Sequence, residues 1–335
     1  MKSLIADGQK RVELIETADL AIGPNEVLVA PMVTGVCGTD LEIIDGKIDP
    51  AFVNYPIVLG HEWIGRVIKV GSNVKSVDVG SRVVAEGIIP CGICSECIEA
   101  NTNRCTTYDE VGFTRPGAAA EQIVVRADLF HLIANSVTDE SAALVEPAAV
   151  VTQGLMKAEP KRGSKVLVIG DGTIALIAAK LVRTWQPSAV HMLGLKDGQS
   201  PLAEQAGVDL FMINPSSDKY DFIIDASGAS SRISEAVRQL VRGGRLLLLG
   251  FTGPDVRTPI SIDDLVNGDL SIYASFGYSR TAWKKTVELM NSGKLDLTFL
   301  VTHRFPLEKF QEAIDALRSA PAPRGKIIFD LNSKI

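Results

Sequence analysis

Hydrophobic and polar residues alternate in two different ways along the chain. Up to about residue 150, short runs of β-branched residues are interrupted by glycine, which predicts a mostly β region. These runs are 26–29, 64–70, 82–85 and 122–125. Beyond Lys165, apolar runs alternate with helical segments, which predicts βαβ units in a doubly wound parallel sheet. The apolar runs are 166–169, 190–193, 222–224 and 246–249, with helices such as 174–185 and 233–241 between them.

This change of pattern predicts the division into domains. At 335 residues the chain is long for a single hydrophobic core, so about two domains are expected. We expect a mostly β domain at 1–149 and a doubly wound α/β domain at 150–292. The segment 293–335 returns to a mixed pattern, with a helix at 307–317 and a strand at 326–331 that rejoins the first domain.

Composition and charge narrow the class of partner. Hydrophobic residues make up 46% of the chain and the formal net charge is −6, so we expect a folded globule without the basic face that nucleic acids require. No apolar run reaches the roughly 18 residues of a membrane span, and the N-terminus lacks the apolar run of a signal peptide. A cytoplasmic protein with a small-molecule partner, and with neither nucleic acid nor membrane as a partner, is expected. Five cysteines in a reducing compartment favour metal or thiol chemistry over disulfides.

Four of the five cysteines are clustered in one loop. Cys91, Cys94, Cys97 and Cys105 have the spacing C-x2-C-x2-C-x7-C, which matches a closed tetrahedral zinc site. An iron–sulfur cluster and a set of ordinary buried cysteines are the alternatives, but the x7 gap differs from the cysteine runs of such clusters. Four thiolates leave no open coordination position, so a zinc in this lobe, at about 88–108, is structural.

The remaining cysteine indicates a second metal site. Cys37 is followed 24 residues later by His61, and a thiolate and an imidazole are natural zinc ligands. Glu146 adds an acid at the edge of an apolar run, where an unpaired carboxylate is costly. Three ligands leave a fourth position for water or substrate. Each residue is a weak signal alone, because a lone cysteine is usually a core residue and a lone acid is usually solvated.

A strand, a glycine turn and a helix start follow one another from Val166 onward. The segment from Gly170 to Ala175 has the form G-x-G-x-x-A of the dinucleotide fingerprint. Gly170 allows the tight turn, Gly172 lets the backbone approach a pyrophosphate, and the helix N-terminus attracts phosphate. A lone match is often a chance glycine turn, but the surrounding β/α units favour a cofactor site.

Together these motifs resemble the zinc-dependent medium-chain dehydrogenase/reductase family almost end to end. The shared motifs are Cys37-Gly38-Thr39-Asp40, Gly60-His61-Glu62, the four-cysteine lobe, Glu146-Pro147, the Gly170 turn and Asp225-Ala226-Ser227-Gly228. The resemblance implies a GroES-like catalytic domain and a Rossmann domain with the active site in the cleft between them. It also implies two zinc ions per chain, an NAD(P) cofactor and a homodimer or homotetramer.

The same resemblance implies roles for individual residues. Cys37, His61 and Glu146 are expected to bind the catalytic zinc, with Glu62 as an alternative ligand and Asp40 orienting His61. Zinc in this family polarises the substrate hydroxyl, and hydride passes to the nicotinamide. The residues expected around the cofactor are Gly170, Gly172, Thr173, Ile174, Gly194, Lys196, Ala226, Ser227, Gly250 and Phe251.

Two acids and a threonine are expected to act on the substrate. Thr39 is the expected first acceptor of the hydroxyl proton, with a simple turn residue as the alternative. Glu42 stands where many members of the family carry a histidine, and in this it looks like the glucose dehydrogenase branch. The stretch around Glu110 is similar to the one from which that branch uses a glutamate to hold sugar hydroxyls. Carboxylates accept hydrogen bonds from paired hydroxyls, although both acids would also suit a solvated surface.

The choice of cofactor rests on the end of the second Rossmann strand. NAD-specific members place an acid there to bind the ribose hydroxyls. Here Gly194 occupies that position and Lys196 could meet a 2′-phosphate, so NADP is slightly favoured. Asp197 would supply the acid if the strand were longer.

These residues predict a zinc-dependent oxidoreductase that transfers hydride between a secondary or polyhydroxylated alcohol and NAD(P). The alternative is a dehydrogenase of a simple alcohol or of a hydroxy amino acid, similar to threonine dehydrogenase. A non-catalytic nucleotide sensor would not need Cys37, His61 and Glu146 together. A zinc-ribbon binder of nucleic acid does not fit the acidic charge or the cofactor turn.

Overall fold

The computed structural model describes residues 1–253 and 255–331, which form two compact units. The first unit contains Met1–Glu146, Ser279–Ala320 and the segment from Lys326 onward. The second contains Pro147–Tyr278 and Pro321–Gly325. None of the helices in these described ranges has the length and hydrophobicity that a bilayer crossing requires.

Short strands dominate residues 1–146. In chain order the elements are β1 (Lys2–Ala6), β2 (Val12–Glu16), β3 (Glu26–Val36), α1 (Gly38–Ile44), β4 (Ile57–Val58), β5 (Glu62–Val70), β6 (Arg82–Ala85), β7 (Ile88–Ile89), α2 (Ser95–Ile98), β8 (Asp109–Glu110), β9 (Ile123–Arg126), β10 (Phe130–Leu132) and α3 (Asp139–Ala143). The long strand β3 pairs antiparallel with both β5 and β9. Most of its residues are fully buried, because the sheet is covered on both faces.

The second unit is a layered α/β structure. Its elements are α4 (Val145–Ala158), β11 (Lys165–Ile169), α5 (Thr173–Val182), β12 (Ala189–Leu193), α6 (Ser200–Gln205), β13 (Leu210–Met212), β14 (Tyr220–Asp225), α7 (Ser230–Gln239), β15 (Leu240–Leu248), α8 (Ile262–Gly268) and β16 (Ser271–Ala274). The first two residues of α4, Val145 and Glu146, belong to the first unit. Within the described residues, six parallel strands lie in the order β13-β12-β11-β14-β15-β16. The central strands β11 and β14 are apolar and buried, as a sheet covered by helices requires. The doubly wound parallel sheet predicted from the sequence is confirmed.

The chain returns to the first unit after Tyr278. The remaining elements are α9 (Arg280–Asn291), β17 (Val301–Phe305), α10 (Phe310–Ser319) and β18 (Lys326–Asp330). β18 pairs antiparallel with β3, so that Ile327 lies opposite Val36. β5 pairs with β3 on its other edge, so that Glu62 lies opposite Gly35. The end of β3 therefore meets the starts of β5 and β18, and this meeting point positions the candidate site.

Some element ends differ from the pattern expected from the sequence. The segment 233–241 was expected to be helical, but α7 ends at Gln239 and β15 begins at Leu240. The α-helical part of 174–185 ends at Val182, and a 3₁₀ turn follows. The strands β13 and β16 were not predicted from the sequence. Both are short, and because their residues are exposed or only half-buried, neither forms a buried apolar run.

Candidate metal centre and cofactor turn

The turn at the end of β3 presents Cys37 at the start of α1. The Cys37 backbone N–H donates a hydrogen bond of 2.7 Å to the Asp40 carboxylate, which fixes the first turn of the helix. Before β5, the backbone of Gly60 has a φ of +95°. A Cβ at this position would lie 2.7 Å from the Thr34 methyl carbon and 2.8 Å from the Ala119 nitrogen. Only glycine fits this turn, which delivers His61 beside Cys37.

Three side chains with metal-binding atoms converge at this point. The sulfur of Cys37, a ring nitrogen of His61 and a carboxylate oxygen of Glu62 all lie within 4.8 Å of one another. His61 and Glu62 are buried. Thiolate, imidazole and carboxylate are the donor types of catalytic zinc sites. The Thr39 hydroxyl oxygen lies 3.7 Å from the Cys37 sulfur, so it borders the same set.

The imidazole of His61 is surrounded by negative groups. Its Nδ1 lies 3.6 Å from a carboxylate oxygen of Asp40, which is beyond hydrogen-bonding distance. Within the described residues this buried nitrogen has no hydrogen-bond partner. Burial opposes the charge on the ring, but the Asp40 carboxylate and the Cys37 sulfur together raise the His61 pKa well above 6.5. The ring thus faces more negative charge than it can neutralise, which suits a site built for a cation.

Sequence reasoning missed a buried lysine at this site. The Lys326 ammonium lies 2.5 Å from the Glu62 carboxylate, and the two side chains are 4% and 1% exposed. Each charge compensates the other, since either one alone would be costly in this environment. The only signal in the sequence was a lysine at the start of the apolar run 326–331. Its partner is separated from it by 264 residues along the chain.

Glu146 and Glu110 lie within electrostatic range of the metal set. Glu146, at the start of α4, is outside the group whose ligand atoms lie within 4.8 Å of one another, although its charge acts on His61. Desolvation raises the pKa of Glu146 to about 8 and the pKa of Glu110 to about 7. The ring of Phe113, three residues after Glu110 in the chain, lies 5.5 Å from the His61 ring. Both acids thus interact electrostatically with His61.

Glu42 is placed differently from the other predicted site residues. It lies on the exposed side of α1, whereas Ile43 and Ile44 of the same helix are buried. The set of Cys37, His61 and Glu62 does not include it. Its role toward substrate stays a prediction.

The four-cysteine lobe brings all of its sulfurs together. The sulfurs of Cys91, Cys94, Cys97 and Cys105 lie within 4.8 Å of one another. Cys97 is 3.4 Å from Cys94 and 3.9 Å from Cys91. A tetrahedral zinc with Zn–S bonds of about 2.3 Å separates its sulfurs by about 3.8 Å. The spacing therefore fits a closed zinc site.

Backbone groups prepare the lobe for a charged thiolate. Hydrogen bonds from the backbone N–H groups of Ile93 and Cys94 lower the pKa of Cys91 to about 6. Burial, by contrast, raises the pKa of Cys97 to about 12. A bound cation would favour the thiolate form at both positions.

In the second unit, the glycine turn has the shape that a dinucleotide requires. Gly170 has a φ of +114°, and a Cβ there would lie 3.1 Å from the Ala226 carbonyl group. Gly172 caps α5, and a Cβ there would meet no atom within 4 Å, so the space before the helix is open. Thr173 and Ile174 open the helix, and Ala175 is fully buried against the sheet. An open cradle at a helix N-terminus suits a pyrophosphate.

The other predicted cofactor residues lie on the loops after β12, β14 and β15. Gly194 directly follows β12. Ser227 donates a hydrogen bond of 2.6 Å to the buried Asp225 carboxylate. A Cβ on Gly250 would lie 2.4 Å from the Gly228 nitrogen, so these two loops touch. Phe251 is 81% exposed. These loops all follow carboxyl ends of parallel strands, the edge where doubly wound sheets bind cofactors.

Comparisons with known proteins agree with this fold. The chain matches the family described as alcohol dehydrogenase GroES-like domain over residues 23–135. It matches the family described as glucose dehydrogenase C-terminus over residues 139–319. The L-threonine 3-dehydrogenase of Yersinia pestis (strain Pestoides F) is 30% identical over 321 residues, which cover 92% of each chain.

Solved structures lead to the same family. A structure of a short chain alcohol dehydrogenase from Escherichia coli CFT073, in complex with NADH, superposes with a TM-score of 0.92 at 26% identity and covers 99% of both chains. Galactitol-1-phosphate dehydrogenase from Escherichia coli has a TM-score of 0.89 at 26% identity, covering 98% of this chain and all of that one. The present chain belongs to the zinc-dependent medium-chain dehydrogenase/reductase family of alcohol-dehydrogenase-type oxidoreductases.

Proposed function

We propose that this protein oxidises a secondary alcohol that bears further hydroxyl groups, of the sugar, polyol or cyclitol class, and passes the hydride to a nicotinamide dinucleotide. The observation that supports this most is the convergence of Cys37, His61 and Glu62 in an acid-rich site. Three protein ligands leave one position of a tetrahedral zinc for a substrate hydroxyl. A zinc ion held by these residues would polarise that hydroxyl, and a nicotinamide bound at the Gly170 turn would accept the hydride.

The ligands of the catalytic zinc are part of the proposal. Cys37 and His61 supply the sulfur and the nitrogen, and an acid supplies the oxygen. Glu62 stands closest to the other two, whereas the family resemblance favours Glu146. The Lys326 ion pair orients the Glu62 carboxylate, so an exchange between the two acids would require that pair to open.

Thr39 and Glu110 are proposed to act on the substrate itself. The Thr39 hydroxyl borders Cys37, so it can receive the proton that leaves a hydroxyl bound beside that sulfur. Glu110 carries a carboxyl group whose pKa is raised to about 7 by burial. A carboxyl held in this environment gains most when a substrate hydroxyl donates to it, because buried acceptors left unpaired are costly.

A hydroxy amino acid is the second candidate substrate. The 30% identity to an L-threonine 3-dehydrogenase over nearly the whole chain favours it. Glu110 would suit this substrate as well, since a carboxylate pairs with an ammonium group. The two candidates differ in charge, which makes them easy to separate by experiment.

A reduction screen with NAD and NADP tests the proposal. Sugars, polyols, cyclitols, L-threonine and simple primary alcohols are offered to the zinc-loaded enzyme, and cofactor reduction is followed by absorbance. We expect turnover with at least one polyhydroxylated compound and two zinc ions per chain by elemental mass spectrometry. Turnover of L-threonine alone would select the second candidate. Turnover of simple alcohols alone would contradict both. The homodimer or homotetramer stays a prediction.

A further inference from the structure

The glycine turn of the second unit carries an acid that the family comparison leaves without a role. Asp171 lies between Gly170 and Gly172. One of its carboxylate oxygens, Oδ2, accepts hydrogen bonds from the backbone N–H groups of Leu195 at 2.7 Å and Lys196 at 3.2 Å. These two residues lie in the loop after β12, directly behind Gly194. The carboxylate is therefore fixed at the end of the second Rossmann strand.

The Asp171 carboxylate also lies close to the point where the side chain of an acid directly after β12 would begin. A Cβ built on Gly194 would lie 2.9 Å from Asp171 Oδ2 and 2.5 Å from the Phe211 ring. An aspartate at position 194 would hold its own carboxylate oxygens at a similar distance from its Cβ. Gly194 thus leaves room for the Asp171 carboxylate at the end of β12, where dinucleotide-binding folds commonly place a ribose-binding acid.

The anchoring of Asp171 leaves one oxygen available. Within the described residues, Oδ1 accepts no hydrogen bond, and the residue is partly exposed to solvent. The backbone carbonyl of Asp171 is also held, because the Gln199 side-chain amide donates to it at 2.7 Å. Oδ1 is therefore a preorganised acceptor with a fixed position, and it can bind a ribose hydroxyl without reorganisation.

The charges of Lys196 and Asp171 would act on a 2′-phosphate in opposite directions and with unequal strength. The Lys196 side chain is exposed and makes no ion pair within the described residues. An exposed, flexible ammonium attracts a phosphate weakly and is screened by salt. Asp171 is held by two N–H groups, so a 2′-phosphate brought beside it meets a negative charge that cannot move away.

We propose that Asp171 is the residue that selects the adenosine ribose, and that it directs the enzyme to NAD rather than NADP. This inference rests on the proposed function, because it assumes that the Gly170 turn binds the dinucleotide. It reverses the slight preference for NADP that Lys196 suggested. The sequence shows only that an acid lies inside the glycine turn. Such an acid is expected to be solvated unless the geometry of the neighbouring loop is known.

Binding of two cofactor fragments tests the proposal without turnover. Isothermal titration of the full-length, zinc-loaded protein with ADP-ribose and with 2′-phospho-ADP-ribose gives two dissociation constants. We expect ADP-ribose to bind at least about tenfold more tightly, because like charges brought together at a site are strongly unfavourable. Asp171→Asn keeps an oxygen for the N–H groups of Leu195 and Lys196 but removes the charge, so the ratio should fall by about tenfold.

Lys196→Ala is the matched comparison on the same loop. It should weaken 2′-phospho-ADP-ribose by less than about threefold, as expected for one exposed cation. Circular dichroism verifies that Asp171→Asn is folded, and Asp171→Ser serves as a second uncharged variant. Tighter binding of 2′-phospho-ADP-ribose to the wild type, or an unchanged ratio in folded uncharged variants, would overturn the proposal. Failure of both fragments to bind the wild type would instead contradict the proposed dinucleotide function, and the inference with it.

Discussion

The four-cysteine lobe and the Cys37 site are two candidate zinc sites of the same unit that are built in opposite ways. The lobe takes its ligands from fifteen consecutive positions, so local chain geometry is enough to assemble it. The Cys37 site takes its residues from the end of β3 and the starts of β5 and β18, and Lys326 lies 264 residues from its partner Glu62. The lobe can order its own loop, whereas the second site depends on the completed sheet.

The two sites also differ in how their charges are compensated. The lobe is surrounded by backbone N–H donors, which lower the pKa of Cys91. The Cys37 site is surrounded by acids, and burial raises the pKa of Glu146 and of Glu110. A closed site holds its ion by ligands alone, but an open site must also bind substrate. We therefore expect damage to the lobe to affect folding and damage to the Cys37 site to affect turnover.

The largest effect on stability is expected from Cys97→Ser. A structural zinc contributes its binding free energy to folding, so loss of one thiolate should lower the free energy of unfolding by at least about 3 kcal/mol. Urea unfolding and the zinc content measure this. Ser95→Ala, a change in the same lobe that removes no ligand, is the control. Zinc content and an unfolding midpoint equal to those of the wild type would show that Cys97 does not hold a structural zinc.

For Cys37→Ala we expect a loss of activity without a loss of stability. Without this sulfur, kcat/KM should fall by at least about a thousandfold, equivalent to about 4 kcal/mol of transition-state stabilisation. The unfolding midpoint should stay close to that of the wild type, and one zinc per chain should remain. Steady-state kinetics and elemental analysis measure these quantities. Wild-type turnover in this variant would contradict a catalytic zinc at Cys37.

The contrast between the two sites also explains what the sequence could predict. The cysteine spacing predicted the whole lobe, because its ligands are neighbours in the chain. Cys37, His61 and, as an alternative ligand, Glu62 were expected from short motifs, but the contact of Glu62 with Lys326 depends on strand register. That register, Gly35 opposite Glu62 and Val36 opposite Ile327, is a property of the sheet and not of any local pattern.

In the second unit, too, the sequence predicted local features but not the contacts between distant segments. Its central strands were predicted because they are buried apolar runs, but β13 and β16 were not, since their residues are exposed or half-buried. The glycine turn was recognised from Gly170 and Gly172. The role of Asp171 inside that turn became visible only from its hydrogen bonds to the loop after β12.

Lys326→Met tests whether the Cys37 site depends on its distant partner. Removing the ammonium leaves the buried Glu62 carboxylate without compensation, which should cost about 3 kcal/mol in the free energy of unfolding. Adding Glu62→Gln should recover much of that loss, because the carboxylate that Lys326 compensates is then removed as well. Urea unfolding of the single and double variants measures the difference. A double variant less stable than Lys326→Met would show that the pair does not act as a compensated unit.

The smallest expected effect separates the two acids that the sequence assigned to the substrate. Glu110 is half-buried, interacts electrostatically with His61 and has a pKa that burial raises to about 7, whereas Glu42 lies exposed on α1. Glu110→Gln should raise KM for the polyhydroxylated substrate by about tenfold while kcat changes by less than about threefold, because a binding contact and not a reacting group is altered. Glu42→Gln should leave both parameters within about a factor of two, as expected for a surface position. Steady-state kinetics of the two variants on the same substrate show which of the two acids contributes to substrate binding.

A larger effect at Glu42 would mean that substrate approaches from the side of α1, and the proposed place of Glu110 at the open site would then be wrong.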